Sequence, residues 1–122
     1  MNGKKENVLL HKSFAFAIRI VKLYKYLVAE KKEYVLSKQT LRSGTAVGAL
    51  VREAQNAESK ADFIHKLGIA QKECDETIYW LELLKETEYI NQIEFDGMNE
   101  NARELLKIIK SSILTIKQKL NR

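Results

Sequence analysis

Proline is missing from all 122 residues, and glycine occurs only five times. Both residues break helix interiors, so their scarcity leaves the chain free to form long helices. Strand-type alternation is also scarce, while Ala, Leu, Ile, Lys and Glu abound. An all-α protein of one domain, 1–122, is therefore expected. Cys74 is the single cysteine, which excludes an intramolecular disulfide and a thiolate zinc cluster. Residues 1–10 lack the sustained apolar core and small-residue cleavage pattern of a signal peptide. No apolar run is long enough to span a bilayer. The expected setting is the cytoplasm of a bacterial cell, with no membrane partner.

Four helical stretches are legible, at about 8–31, 34–57, 60–88 and 97–120. Residues 1–7 are polar and read as a frayed end. In the first stretch Ser13 is a candidate N-cap, with 8–11 open to either assignment. Its apolar residues, from Phe14, Phe16 and Ile18 to Tyr24, Leu27 and Val28, cover far more than one stripe. Only Arg19, Lys22 and Lys25 form a clear polar line. A helix apolar on most sides is buried on most sides, and in a short chain the extra face meets another subunit. The second stretch points Leu36, Thr40, Ser43 or Gly44, Val47, Leu50 or Val51, and Ala54 inward. Gly44 and Gly48 lie four apart, and two glycines at that spacing predict a neighbouring backbone close by.

Ser59 reads as the N-cap of the third helix, with Asp62 completing an aspartate version of the capping box. That helix spans roughly 40 Å. Its core line is Phe63, Leu67, Ala70, Cys74, Thr77 or Ile78, Leu81 and Leu84. Ile69, Trp80 and Leu83 point elsewhere and, with Phe16 and Tyr24, are the candidate oligomer interface. Residues 89–95 read as a connection that covers the bundle end. Asp96 or Asn99 is the candidate cap of the fourth helix, whose inward line runs from Met98 and Ala102 to Ile116 and Leu120. Four helices with short turns make an antiparallel up-and-down bundle.

Catalytic chemistry finds little to work with. A di-metal carboxylate site needs Glu-x-x-His on two helices plus two further glutamates. The nearest match is a lone Asp62-x-x-His65, and the other histidine is His11. Cys74 falls in an apolar line and reads as a buried, inert thiol. Neither histidine closely follows an arginine, the pairing of bundle-type ribonuclease toxins. Glu53, Glu73 and Glu76, paired with Arg42 or Arg52, read as polar contacts that fix register. A non-enzymatic protein is expected, with no catalytic residue, cofactor or metal.

Charge is what remains. The chain carries a net +5, concentrated in the first helix and the last twenty-odd residues, while 62–100 is acidic. This asymmetry suits nucleic-acid binding, complementary subunit packing, or simply solvated helix faces. Candidate nucleic-acid contacts are Arg19, Lys22, Lys25, Arg42, Arg52, Lys107 and Lys110. Aromatics do not interleave with these cations in the way single-strand readers require. The alternative is a protein–protein scaffold, in which the basic fourth helix of one subunit faces the acidic third helix of the next.

From Gln39-Thr40-Leu41-Arg42-Ser43-Gly44 through Val51-Arg52-Glu53-Ala54 the sequence resembles the four-helix bundle proteins also called 23S ribosomal RNA intervening-sequence proteins. A second block fits too: Ala57-Glu58-Ser59-Lys60, Asp62-Phe63, Lys66-Leu67, Ile69-Ala70, Lys72-Glu73, Glu76-Thr77 and Tyr79-Trp80-Leu81. The resemblance covers 14–120 and is densest over 39–84. It implies a four-helix bundle, a ring-shaped homopentamer and no established enzymatic activity. Some members are encoded inside ribosomal RNA genes. A related protein is the basic accessory factor of diversity-generating retroelements, which works with a reverse transcriptase and nucleic acid. The chain departs from the pattern at Thr45-Ala46-Val47-Gly48-Ala49-Leu50, where many members carry a Pro-Ala-Asn-Ile-Ala-type segment. Many members are also more basic in the third helix.

Overall fold

In the computed structural model of residues 3–121, four helices follow one another with short turns: α1 (Gly3–Ala29), α2 (Leu36–Gln55), α3 (Lys60–Glu86) and α4 (Gln92–Leu120). Each packs against its neighbours in sequence, and α1 closes on α4, while the diagonal pairs do not meet. Side-chain contacts give the directions. Lys12 reaches Glu104 at 3.0 Å, whereas Arg19, further along α1, bonds the earlier Gly97 and Asn101 of α4. Arg42 meets Glu73 and Glu76, and Glu53 meets Lys66. Neighbouring helices are thus antiparallel. All-α up-and-down topology stands as expected.

The core follows the helical period. Val47, Val51 and Ala54 of α2 are buried in one core with Phe63, Leu67, Ala70, Cys74, Leu81 and Leu84 of α3 and Ala102, Leu105, Ile109 and Ile116 of α4. Each fully buried leucine or isoleucine stabilises the fold by about 1.5–3 kcal/mol relative to exposure. A few hydroxyls join this core at low cost, because each finds a partner. Thr77 donates to the Glu73 carbonyl at 2.7 Å and shares a 2.8 Å hydrogen bond with Ser43.

Phe16 corrects the interface expectation. It is 2 % exposed and packs with Leu9, Ile20 and Leu27 in the bundle interior. The large apolar residues that α1 turns outward are Val8, Phe14, Ile18 and Tyr26. With apolar residues nearly all round α1, its rotational phase is decided by packing against α2 and not by its own pattern.

That packing is close. A Cβ on Gly44 would lie 2.7–2.9 Å from three carbons of Ile20, and one on Gly48 would lie 3.2 Å from the Ser13 carbonyl oxygen. Ser13 itself is buried inside α1, its hydroxyl donating to Leu10 at 3.2 Å, and caps nothing. The helix already runs from Gly3, which replaces the expected fraying over most of 1–7; residues 1 and 2 lie outside the described residues.

The helix starts show why the boundaries fall where they do. Ser59 caps α3, accepting from the Asp62 amide at 3.0 Å. The Asp62 carboxylate reaches back to the amide of Glu58, one residue further than a capping box requires. Helix α4 begins five residues before the expected 97. Asn91 and Glu94 form a reciprocal capping box at 2.8 Å in both directions, which satisfies two end amides at once. Asp96 and Asn99 therefore lie inside the helix and do not cap it. Ile90 and Phe95 cover the bundle end as expected, but Ile93 points outward.

The α1–α2 turn rests on one buried carboxylate. Lys32 takes a left-handed backbone (φ 54°), and the Glu33 amide then bonds back to Leu27 at 3.0 Å. Glu33 accepts from the amides of Val35, Leu36 and Ser37 at 3.0, 2.8 and 2.6 Å. Its carboxylate occupies the positive end of α2, where both the free amides and the helix dipole favour an anion. Burial alone would push its pKa up. The three amides and the Ser37 hydroxyl outweigh that and hold it below the ordinary 4.5.

Candidate nucleic-acid interface

The cations singled out from the sequence divide by what they touch. Arg42 is tied to α3: its guanidinium bonds Glu73 at 2.9 Å and also Glu76, whose carboxylate takes the Trp80 indole N–H at 3.2 Å. Arg19 bonds Asn101 and, at 3.4 Å, the Gly97 carbonyl, joining α1 to α4. Arg52 lies over the Phe14 ring at 5.7 Å. Glu53 pairs with Lys66 rather than with either arginine. These arginines hold helices together first.

Lys22 and Lys25 are exposed on α1 and have no ion-pair partner among the described residues. They border the apolar strip of Phe14, Ala17, Ile18 and Val21. Lys107 and Lys110 are equally unpaired on the outer face of α4, toward the opposite end of the bundle.

Sequence reading missed the cations at the α1–α2 turn. Lys32 and Lys38 are exposed there; the Lys32 ammonium donates to the Ala29 carbonyl at 2.8 Å and pairs with no acid. The one acid between them, Glu33, is buried and spent on amides. Tyr34 and Val35 stand out to solvent at the same turn. Lys31 lies 5.9 Å from the Tyr26 ring centre, on the side of the bundle end that also holds Glu86, Glu88 and Glu94, so its field is partly offset. Lys32, Tyr34 and Lys38 thus share this turn, with Lys25 and Lys22 about one and two helical turns before the end of α1. A stacking ring beside backbone-neutralising lysines is the chemistry that holds single-stranded nucleic acid.

A second surface adjoins that apolar strip and shares Phe14 and Ala17 with it. An apolar groove of about 420 Å³ runs between α1 and α2, lined by Leu10, Phe14, Ala17, Thr45, Gly48 and Ala49. It exists because Gly48 and Ala49 leave the outer side of α2 without bulk. Of the remaining interface candidates, Tyr24, Ile69, Trp80 and Leu83 are half-buried in the single chain.

Cys74 is fully buried, its thiol donating to the Ala102 carbonyl at 3.3 Å. Burial first, and Asp75 next, push the thiol up to about 12, with Arg103 pulling the other way. A thiol held protonated is a poor nucleophile. Among the described residues no three His, Cys, Asp or Glu side chains are grouped to hold a metal. No helix there is long and apolar enough to cross a membrane.

A family model for the 23S rRNA-intervening sequence protein matches residues 5–111. A crystal structure of a protein of unknown function from the S23 ribosomal protein family, from Bacteroides thetaiotaomicron, is similar at 56 % identity. That match covers 89 % of this chain and 97 % of the other, with a TM-score of 0.89. No curated protein matches the sequence.

Proposed function

The chain belongs to the 23S rRNA-intervening sequence protein family, and we propose that it is a non-enzymatic, oligomeric accessory protein that associates with nucleic acid in the cytoplasm. The observation that carries this reading is the α1–α2 end of the bundle, where Lys22, Lys25, Lys32 and Lys38 are exposed and in no ion pair among the described residues, and where the Tyr34 ring is exposed at the turn. Binding there is electrostatic and sequence-tolerant: lysines neutralise phosphates, released counterions supply the driving force, and a base stacks on the tyrosine. Oligomerisation multiplies such a patch, so that several modest sites act on one strand. The half-buried Tyr24, Ile69, Trp80 and Leu83 are the surfaces we assign to subunit contact, with five copies as the expected number on family grounds.

The second reading is a protein–protein scaffold. The apolar groove between α1 and α2 favours it.

Size-exclusion chromatography with light scattering, recording absorbance at two wavelengths, tests the proposal. At low salt the expected peak is a multiple of the 14.1 kDa chain, with absorbance at 260 nm raised by bound nucleic acid. A multimer with a protein-like spectrum favours the scaffold. A 14.1 kDa monomer with a protein-like spectrum overturns the oligomeric reading.

A further inference from the structure

The inward line of α4 is apolar, and the line opposite it has an order of its own. At alternating steps of three and four, the outer face presents Ile93, Asp96, Glu100, Arg103, Lys107, Lys110, Leu114 and Lys117, all exposed. Spacing of this kind forms a continuous seam along a helix. Charge is segregated along it. Before Arg103 the helix has acids and no cation; after Glu104 it has cations and no acid. Ile93 is 82 % exposed and Leu114 57 %, so the seam carries one uncovered apolar side chain near each end.

We infer that this face docks onto the same face of a second copy, about a two-fold axis that crosses α4 between Arg103 and Glu104. Turning the helix antiparallel about that point sets Ile93 against Leu114 of the second copy, Glu100 against Lys107, and Asp96 beside Lys110. Arg103 meets Glu104 at the axis. Every pairing occurs twice, as an isologous contact requires. The seam from Ile93 to Leu114 is about 31 Å long. Other partners answer it less well. A polyanion suits Arg103 to Lys117 but is repelled by Asp96 and Glu100, and leaves Ile93 uncovered. The helix dipole rewards charges in the first and last turns only, and so does not account for Glu100, Arg103 or Lys107.

Within the single chain these groups are open to a partner. Glu100, Lys107 and Lys110 have no ion pair among the described residues, and Arg103 is 4.0 Å from Glu82. Asp96 accepts from Gln92 at 2.7 Å and Glu104 from Lys12 at 3.0 Å, contacts that leave carboxylate oxygens free for a second cation. The pairs are solvent-exposed and individually weak, so the association is modest and strongly salt-dependent. It is independent of the lysines at the α1–α2 turn.

Light scattering on nuclease-treated protein tests the register. For the native sequence, the expected mass at about 50 mM salt is twice that at about 500 mM, where charges more than a few ångströms apart are screened. Glu100→Lys and Lys107→Glu each place like charges opposite one another and are expected to abolish the doubling. The double variant carrying both substitutions restores every pair, and with them the doubling. The inference is overturned if the native mass does not change with salt, if either single variant still doubles, or if the double variant does not. Both substituted positions are exposed, so folding is retained, and an unchanged circular dichroism melt confirms it. Doubling that disappears on nuclease treatment assigns the seam to nucleic acid and overturns the inference too.

Discussion

Replacing Gly44 with leucine is expected to destabilise the bundle by about 3 kcal/mol or more, at the upper end of overpacking substitutions. The reason is local and steric. The first carbon of any side chain there would fall 2.7–2.9 Å from Cγ1, Cδ1 and Cγ2 of Ile20. Ile20 is fully buried, and it cannot leave without exposing the α1–α2 contact. Even alanine must displace it, so the gain of about 1 kcal/mol in helix propensity from Gly to Ala is not expected to appear as stability. Urea unfolding followed by circular dichroism measures the effect. A leucine variant as stable as the native chain would mean that α1 and α2 are not in close approach.

Removing the carboxylate of Glu33 is expected to cost about 2–4 kcal/mol. Glu33→Ala leaves the amides of Leu36 and Ser37 without their partner at the buried start of α2, and such unpaired groups cost about 1–3 kcal/mol each before relaxation. The same contact gives the protein an acid limit. Glu33 has a lowered pKa in the folded state. Its contribution is therefore complete above the unfolded value near 4.5 and is lost as pH falls through the lower folded value. The native chain should lose stability between pH 5 and the acid side of that range, and Glu33→Gln should flatten that part of the curve. Thermal melts at a series of pH values read both. A Glu33→Ala chain that melts with the native one at neutral pH contradicts the clamp.

Most of the fold was legible in the sequence because buried residues repeat with the helical period. The lines Phe63 to Leu84 and Met98 to Ile116 emerged at helical spacing, but Leu120, expected to close the second line, is exposed at the end of α4, where no neighbouring helix covers it. Helix α1 gave no such line. Phe14, Phe16, Ile18 and Ile20 are alike in hydropathy, and only the approach of Gly44 selects Ile20 and Phe16 for the interior. The start of α4 was missed because Asp96 and Asn99 also carry capping side chains and sit closer to the apolar run than the Asn91–Glu94 capping box that starts the helix. At the candidate interface, Lys22 and Lys25 were apparent as exposed cations. Arg19 was not separable from them, because an arginine committed to a neighbouring helix reads like a free one, whereas the pairing of Arg42 with Glu73 and Glu76 was expected from the sequence. Glu33 looked like one more turn residue; its burial comes from the reversal at Lys32. Two of the residues that border the patch, Tyr34 and Lys38, belong to it only through that reversal.

The central claim is that the cations at the α1–α2 turn hold nucleic acid. Fluorescence anisotropy of a labelled single-stranded oligonucleotide, titrated with the native chain and with a Lys22→Glu, Lys25→Glu double variant, tests it most directly. The native chain is expected to bind at about 1–100 µM, with log affinity falling against log salt at a slope of about −3 if four phosphates are neutralised at roughly −0.7 each. The double variant should bind at least about tenfold more weakly, with a slope shallower by about 1.4. A native chain that gives no signal at about 100 µM in low salt, or a double variant that binds as well and with the same slope, would contradict the account.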